Sequence, residues 1–302
     1  MTLQEFLQNT QQNEKLQSVV LSMAESVKKI HQAIIGCNLG TADNGSNASG
    51  DEQMALDVLS NEILEEELKK NSHIACYASE EEEDSVLLNK EGSYSVAFDP
   101  LDGSSLIETN LAIGTIFGVY EGSEFTGKTG RDQVCAAYAV YGPRTTFVLS
   151  FGDATHAFSL SHEKDFALTD KNIQVQAETK IFSPGNLRAG LEDKKYLELV
   201  NNWILEQKTL RYSGGMVPDI NLSFCKKQGI FSYPRFSKYP NGKLRLLYEC
   251  APFAFLMEAA GGSALDQDGK SILDLPIQEL HQRSSIFIGS TNEVKKAVAF
   301  LN

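Results

Sequence analysis

The chain has 302 residues, of which 42% are hydrophobic, and this is enough to bury a substantial core in one large domain or two moderate ones. Its formal net charge of -13 argues against association with nucleic acid or with an anionic membrane surface, because both depend on basic patches that are not evident in the sequence. If the protein handles phosphates, something other than its net charge must attract them.

The N-terminal sequence has neither the positive start and apolar stretch of a secretory signal nor the arginines of a transit peptide. No segment approaches the length of a membrane span. The five cysteines are odd in number and widely scattered, which favours reduced thiols. The expected compartment is therefore the cytoplasm.

The first part of the chain is predicted to be helical. Apolar residues that recur every three or four positions predict an amphipathic helix over residues 14–35 and a second helix over 52–70, with a polar loop between them. The second helix would fix the carboxylate of Asp57 near its start. A β-rich stretch follows these two helices.

Alternating residues before Asp99 predict a strand that ends there, because Pro100 has no amide hydrogen and cannot continue a central ladder. Further strands are predicted at 112–120, 133–141, 144–151 and 155–160, separated by turns.

The second half of the chain is predicted to alternate between helices and strands. We predict helices near 193–207, after Gly215 and over 250–260, and strands near 229–233 and 243–248. Because no long linker interrupts the chain, two tightly packed halves are expected, residues 1–175 and 176–302.

The run Asp99–Ser105 joins two acids to a glycine and two serines. Pro100 fixes the backbone between Asp99 and Asp102, so both carboxylates and the carbonyl between them can point at one place, as a hard cation such as Mg²⁺ requires. Gly103 permits close approach, and the following serines offer amides and hydroxyls to an anion. Asp-Pro and Asp-Gly are also ordinary turn pairs, but the whole string at a strand end favours a phosphoryl-transfer site.

Other acidic residues have a structural and a functional interpretation. The run Glu80–Asp84 is by base rate a solvated loop, yet it follows the apolar segment 74–78, where a second strand end would bring Glu80 and Glu81 beside Asp99. Asp51 and Asp57 have a structural interpretation as a helix N-cap and a first-turn acid. For Asp57 alone, the structural and the functional interpretation are equally favoured.

Glu249 lies in an otherwise apolar run between Tyr248 and Cys250. A buried carboxylate without a partner costs several kcal/mol by rough estimate, and a metal ion is a natural partner.

Basic and aromatic residues near the C-terminal end suggest a second subsite. Lys243 and Arg245 could be the polar face of an edge strand, and Arg211–Tyr212 the end of a helix connection. Together with Tyr233 and the flanking Gly214–Met216 they form a plausible set for a distal phosphate and a sugar. No nucleotide-binding glycine loop, zinc motif or nucleophile elbow occurs, which leaves oxygen-ligand metal chemistry.

Several long strings resemble a known family: Gly50–Asn61, Ser79–Glu81, Phe98–Ser105, Gly114–Gly118 and Lys243–Glu249. They resemble the fructose-bisphosphatase and sedoheptulose-bisphosphatase group of the lithium-sensitive phosphatase superfamily, which also contains the inositol monophosphatases. The resemblance covers nearly the whole chain. It implies a layered α/β (α+β) fold, with alternating layers of helices and mixed sheets, an N-terminal metal half and a C-terminal sugar-phosphate half.

The resemblance also implies roles for individual residues. Metal ligation is implied for Glu80, Asp99, the Leu101 carbonyl, Asp102 and Glu249, with Asp51 at an outer metal position. Orientation and deprotonation of the attacking water are implied for Asp57 and Glu81. Binding of the scissile phosphate is implied for Asp102, Gly103, Ser104 and Ser105, and of the far phosphate and sugar for Asn186, Tyr212, Tyr233 and Lys243. Arg211 would reach the neighbouring subunit's site.

The implied cofactor is Mg²⁺, two to three ions per site, with Mn²⁺ as a possible substitute, and the implied assembly is a homodimer or a tetramer. The strings Tyr141–Thr146, Phe182–Ala189 and Leu210–Asp219 resemble the sedoheptulose branch more closely, which favours sedoheptulose 1,7-bisphosphate as substrate. Fructose 1,6-bisphosphatase or dual specificity, a catalytically silent sugar-phosphate-binding protein and, more weakly, an inositol-phosphate hydrolase remain alternatives.

Two departures from the family concern regulation. Asn13–Gln17, Ser93 and Glu121 replace the threonine-rich turn, lysine and arginine that bind AMP in the fructose branch, so inhibition by AMP is not expected. The loop at 37–43 contains Cys37 and Asp43 instead of the cysteine pair of the plastid sedoheptulose enzymes, so thioredoxin control through that pair is not expected.

Overall fold

The computed structural model describes residues 1–36, 55–163 and 165–302, together with the backbone of two short strands at 45–46 and 52–53. The predicted metal ligand Asp51 lies outside the described residues. So do Cys37 and Asp43, on which the expectation about thioredoxin control depends. The α-helices of the described chain are α1 (Leu3–Gln8), α2 (Glu14–Gly36), α3 (Ala55–Lys69), α4 (Lys194–Leu205), α5 (Met216–Lys226), α6 (Ala251–Ala259) and α7 (Thr291–Leu301). None of these helices is long and apolar enough to cross a membrane.

The strands of the described residues form two large sheets and two small pairs. In the first half they are β1 (Gly45–Ser46), β2 (Glu52–Gln53), β3 (Ile74–Ser79), β4 (Val86–Leu87), β5 (Tyr94–Asp102), β6 (Ile113–Glu121), β7 (Gln133–Tyr141), β8 (Thr145–Ser150), β9 (Thr155–Leu160) and β10 (Phe166–Ile173). In the second half they are β11 (Ile181–Pro184), β12 (Thr209–Leu210), β13 (Ile230–Tyr233), β14 (Leu244–Arg245), β15 (Ser263–Leu265), β16 (Arg283–Ser284) and β17 (Ile286–Gly289).

Both large sheets are mixed. The first has eight strands in the order β10-β9-β8-β7-β6-β5-β3-β4, and the pair β3 and β5 is parallel while its other pairs are antiparallel. The second has five strands in the order β12-β11-β13-β17-β15, with parallel pairing of β11 to β12 and β13. The fold is therefore the predicted α/β arrangement with mixed sheets.

Alternating side chains of each strand enter different hydrophobic clusters, which stacks the molecule in five layers. In β5, Val96 and Phe98 pack with α2 and α3, whereas Ala97 faces the cluster that contains α5 and α6. In β13, Phe231 faces that same central cluster and Ile230 packs against α4 and α7. The order is helices, eight-stranded sheet, helices, five-stranded sheet, helices.

The helices of the first half largely match the prediction. Helix α2 is confirmed over Glu14–Gly36, with its apolar stripe buried. Helix α3 begins at Ala55, so the predicted start at 52 is wrong: Glu52 and Gln53 instead pair with Ser46 and Gly45. Asp57 lies in the first turn of α3 and is buried.

Two strand predictions need correction. Strand β5 continues to Asp102 instead of ending at Asp99, because a bulge between these residues places Pro100 where no regular ladder bond is needed. The strand predicted at 243–248 is two residues long and is followed by a π-helical turn, Leu246–Cys250. A short apolar run is compatible with either structure when it is buried all round.

Strand β6 and helix α5 approach closely at Gly114. A Cβ atom at this position would lie 2.3 Å from Val217 Cγ1 and 2.4 Å from the Ala139 carbonyl oxygen. Both contacts are far too short, so only glycine lets α5 pack this close to the sheet.

We therefore expect Gly114→Ala to destabilise the protein by about 1–3 kcal/mol through overpacking. Chemical denaturation of the wild type and the variant measures the difference. Gly142→Ala is the matched control, because the nearest atom to its new Cβ would be Ala112 Cβ at an ordinary 3.5 Å. An equal loss of stability in both variants would contradict this interpretation.

Candidate active site

The parallel pairing of β3 and β5 brings two acidic segments together. Ser79 lies opposite Phe98, and the Glu80 amide donates to the Phe98 carbonyl at 3.0 Å. Because parallel strands end at the same edge, Glu80 and Glu81 leave β3 where Asp99 leaves the regular part of β5. The structure therefore places Glu80 and Glu81 beside Asp99 at the ends of these two strands.

The bulge in β5 shapes the motif that follows. The Asp99 carboxylate accepts a hydrogen bond from the Leu101 amide at 2.9 Å, and Thr115 Oγ1 donates to the Pro100 carbonyl at 2.9 Å. These two bonds satisfy buried backbone groups that the interrupted ladder would leave unpaired. They hold the chain so that Asp99 and Asp102 both face the same cavity.

Asp102 also contacts the beginning of helix α5. Its Oδ2 accepts a hydrogen bond from the Val217 amide at 2.6 Å. The Val217 and Met216 amides both act to lower the pKa of Asp102. Free amides and the positive end of the helix dipole both favour a carboxylate there. Gly103, at φ 81°, then starts a short 3₁₀ helix, Ser104–Leu106, whose first residues line the cavity.

The π-helical turn after β14 supplies the third carboxylate. Glu249 accepts a hydrogen bond from the Arg245 amide, one turn earlier. The Arg245 guanidinium lies 3.3 Å from Glu80 Oε1, and its side chain is 2% exposed. Arg245 thus links a strand-end acid to the acid of the π turn. From the sequence, Arg245 was predicted only as a member of a basic set. Its position among the leucines of the run Leu244–Leu247, four residues before Glu249, could have indicated that it is buried.

Carboxylate oxygens of Asp99, Asp102 and Glu249 lie within 4.8 Å of one another. They line a cavity of about 320 Å³. Its other lining residues are Asp57, Glu80, Glu81, Leu101, Gly103, Ser104, Ser105, Tyr212, Gly214, Met216, Phe231, Tyr233, Lys243, Leu244 and Arg245. Six of the lining side chains are carboxylic acids and two are bases, so the cavity carries excess negative charge when the acids are ionised.

The close acids raise one another's pKa values. Burial first, and then the charge of Glu80, raises the pKa of Glu249 to about 8. Burial raises the pKa of Asp102 to about 6, opposed by the Val217 and Met216 amides. Burial and the surrounding acids also hold the pKa of Asp99 well above its ordinary value.

Three buried carboxylates this close together fit a divalent cation, which would relieve both the mutual repulsion and the loss of hydration. The donors are all oxygen, as hard cations prefer. The residues present therefore suit a metal ion of that type. Glu80 is close to the same cluster, and its charge raises the pKa of Asp99.

Most of the residues predicted for the site line this one cavity. The predicted residues among its lining are Asp57, Glu80, Glu81, Asp99, Leu101, Asp102, Gly103, Ser104, Ser105, Tyr212, Tyr233, Lys243 and Glu249. Asn186 and Arg211 are not among them. The sequence interpretation assigned no role to Phe231 or Leu244, which are apolar and carry no chemical signal of their own. Gly214 and Met216 flank the predicted basic and aromatic set.

Asn186 and Arg211 lie near the aromatic end of the cavity. Asn186, at φ 51°, starts a second 3₁₀ helix, and its Nδ2 donates to the Pro234 carbonyl at 3.2 Å. Burial raises the pKa of Tyr212, and the Asn186 backbone opposes this change. Arg211 follows β12, where its amide donates to the Phe182 carbonyl at 2.9 Å, and its side chain is exposed.

Comparisons with known proteins agree with this geometry. Family models described as the N-terminal and C-terminal domains of fructose-1-6-bisphosphatase match residues 1–171 and 175–302. The class 1 fructose-1,6-bisphosphatase of Geobacter sulfurreducens is 44% identical over 99% of this chain and 95% of its own. The chloroplastic sedoheptulose-1,7-bisphosphatase of Spinacia oleracea is 42% identical over 97% of this chain and 76% of its own.

A solved structure supports the same conclusion. The crystal structure of Leishmania major fructose-1,6-bisphosphatase in holo form superposes with a TM-score of 0.92 at 33% identity, covering 99% of this chain and 98% of that one. The fold and the site define a phosphoric monoester hydrolase of the sugar-bisphosphatase type. The chain belongs to the fructose-1,6-bisphosphatase family, whose members depend on metal ions.

The raised pKa of Glu249 predicts how stability depends on pH without divalent cations. The folded state holds this proton up to a pKa of about 8, whereas the unfolded chain releases it near the ordinary value of 4.5. Folding therefore binds a proton between these values, so the free energy of unfolding should fall as the pH rises from about 5 to about 8.

Thermal unfolding in a chelator across this pH range measures the effect. Glu249→Gln, which has a similar volume and no titration, should make the profile less steep and leave only the contribution of Asp99 and Asp102. Saturating Mg²⁺ should flatten the profile of the wild type. An unchanged slope in the variant would show that Glu249 is not its source.

Proposed function

We propose that this protein hydrolyses the 1-phosphate of a ketose bisphosphate with Mg²⁺, and that sedoheptulose 1,7-bisphosphate is its preferred substrate. One observation carries the proposal. The close carboxylates of Asp99, Asp102 and Glu249 share a single cavity with the Gly103–Ser105 cradle and with Tyr212, Tyr233 and Lys243. Such a cavity can hold cations, a reacting phosphate and a distant anionic group at once.

The proposed metal ligands come from four segments of the chain. Glu80, Asp99, the Leu101 carbonyl, Asp102 and Glu249 would hold two to three Mg²⁺ ions, with Mn²⁺ as a possible substitute and Asp51 as an outer ligand. When bound, such ions lower the pKa of a coordinated water and neutralise charge on the phosphoryl group and the leaving oxygen. They would also explain how so acidic a chain attracts a phosphate ester.

The chain's own groups would then position and activate the reactants. Asp57 and Glu81 orient the attacking water and accept its proton. The amides and hydroxyls of Gly103, Ser104 and Ser105 hold the oxygens of the scissile phosphate. The start of a short 3₁₀ helix suits this role, because its first amides have no partner within the helix.

The other end of the cavity would bind the rest of the substrate. Lys243 offers a positive charge, and Tyr212 and Tyr233 offer hydroxyls and ring faces to a sugar phosphate. Asn186 would contribute next to them. The exposed Arg211 would complete the site of a neighbouring copy, which makes a homodimer the smallest active assembly, and a tetramer is compatible with it.

The domain division follows from the same assignment. We propose a metal and phosphatase half at residues 1–175 and a sugar-phosphate half at 176–302. The carboxylate of Glu249 is the exception, because it comes from the second half and faces the acids of the first.

The substrate preference rests on sequence strings and not on the cavity. Residues 141–146, 182–189 and 210–219 favour the sedoheptulose branch, whereas relatives that carry either name match this chain with similar identity. Fructose 1,6-bisphosphate is therefore the second candidate substrate, served by the same carboxylates. A catalytically silent binding protein is disfavoured because each proposed catalytic carboxylate of the described chain is present in the cavity.

The deciding experiment measures phosphate release from sedoheptulose 1,7-bisphosphate and fructose 1,6-bisphosphate side by side, with Mg²⁺ and with a chelator. We expect release from both in Mg²⁺, with the higher kcat/KM for the sedoheptulose ester, and none in the chelator. A higher kcat/KM for the fructose ester would reverse the substrate assignment, and no release from either would refute the proposed activity.

Asp102→Asn tests the metal assignment. The amide oxygen can still accept from the Val217 amide, so the start of α5 and the thermal midpoint should change little. The negative charge is lost, and we expect kcat to fall by at least about 10²-fold because a charged ligand becomes neutral. Circular dichroism and the phosphate assay measure the two effects. Near wild-type turnover would contradict metal ligation by Asp102.

A further inference from the structure

The tight turn that carries Glu80 and Glu81 is closed by its flanking residues. The Glu82 amide donates to the Ser79 carbonyl at 3.3 Å, and the Glu81 amide donates to Ser79 Oγ at 3.2 Å. Ser79 is fully buried at the end of β3. The orientation of both cavity-lining acids therefore depends on where Ser79 and Glu82 are held.

A single side chain on helix α3 holds both ends of this turn. Ser79 Oγ donates to Asn61 Oδ1 at 2.6 Å, and Asn61 Nδ2 donates to Glu82 Oε1 at 2.8 Å. The amide of an asparagine is suited to this task, because it presents one acceptor and one donor in a fixed plane. No aliphatic or singly polar side chain of that size could bind both partners.

Asn61 also relates the turn to Asp57. The two residues are four apart on α3, so their side chains lie on the same face of the helix, one turn apart. Asp57 lines the cavity directly, whereas Asn61 reaches the turn behind it. One helical turn thus sets the distance between Asp57 and the pair Glu80–Glu81.

Two further contacts restrain the position of Glu82. The Tyr77 hydroxyl lies 3.4 Å from its Oε1, and Nε2 of His281 lies 2.8 Å from its carbonyl oxygen. Tyr77 also bonds Glu65, a further turn along α3. The turn is therefore fixed to α3 on one side and to the segment before β16 on the other.

We propose that Asn61 is a positioning residue, which fixes the turn Ser79–Glu82 on α3 and thereby aligns Glu80 and Glu81 with Asp57 and the carboxylate cluster. This inference rests on the proposed function for its effect on turnover. Asn61 should also affect metal binding independently of turnover, because Glu80 is one of the acids whose charge raises the pKa of Asp99.

The test uses Asn61→Asp and its rescue by Glu82→Gln. Asn61→Asp keeps the acceptor for Ser79, but it removes the donor to Glu82 and sets two negative charges against each other. The double variant N61D/E82Q restores the bond with its direction reversed, since the amide nitrogen introduced at position 82 can donate to the new carboxylate at position 61, and its net charge equals that of the wild type. Asn201→Asp, exposed on α4, is the matched control for the charge change.

We expect Asn61→Asp to lower kcat by about 10- to 100-fold and to weaken Mn²⁺ binding to the metal-free protein, as loss of a residue that orients ligands typically does. The KM for the bisphosphate should stay within about twofold, because the distal contacts are untouched. The double variant should recover most of both losses, and Asn201→Asp should resemble the wild type.

The calorimetric titration with Mn²⁺ does not depend on turnover, so the two proposals can fail separately. If the wild type hydrolyses no bisphosphate but Asn61→Asp weakens Mn²⁺ binding and the double variant restores it, the proposed function fails and the positioning role stands. Wild-type kcat and Mn²⁺ affinity in Asn61→Asp would overturn the inference. So would a failure of the double variant to recover Mn²⁺ affinity, or no Mn²⁺ binding by the wild type.

Discussion

The repulsion between carboxylates packed into one buried cavity is the constraint around which the rest of the site is organised. Asp99, Asp102 and Glu249 lie within 4.8 Å of one another, and burial raises the pKa of each. Without stabilising partners, burying three ionised carboxylates in a folded core would cost too much free energy. Two features of the fold offset part of this cost, and a bound cation would offset the rest.

The first compensating feature is the start of helix α5, whose amides bond Asp102, and the second is Arg245, buried beside Glu80 and bonded through its amide to Glu249. Each depends on the layers around it. Helix α5 reaches Asp102 only because Gly114 leaves room for Val217, so a missing side chain in the sheet decides where a helix dipole points. The electrostatics of the site are therefore a consequence of how closely the central helices pack on the eight-stranded sheet.

The sequence predicted the parts of this arrangement that local chemistry determines. The run Asp99–Ser105, the acidic pair after β3 and the lone acid Glu249 could all be recognised, because charges beside apolar strands are unusual and because the strings resemble a family. Arg245 was predicted only as part of the basic set for the distal phosphate, and Asn61 was not predicted to contribute to the site. Their partners, Glu80 and Ser79, are brought to them by packing between α3, β3 and the π turn, which no periodicity of the sequence reveals. The π turn itself was predicted as a strand for the same reason.

The division of labour between the two sheets explains why the chemistry is easier to infer than the substrate. Glu80, Asp99 and Asp102 lie at the carboxyl ends of β3 and β5 in the eight-stranded sheet. Tyr233 ends β13 of the five-stranded sheet and Tyr212 follows β12. Lys243 directly precedes β14, and Glu249 lies in the π turn that follows it. Sugar length would then be read by the spacing and side chains of the second sheet, while the carboxylate cluster remains the same. On this proposal the sugar is selected by residues outside the carboxylate cluster, and relatives named for either bisphosphate match this chain with similar identity.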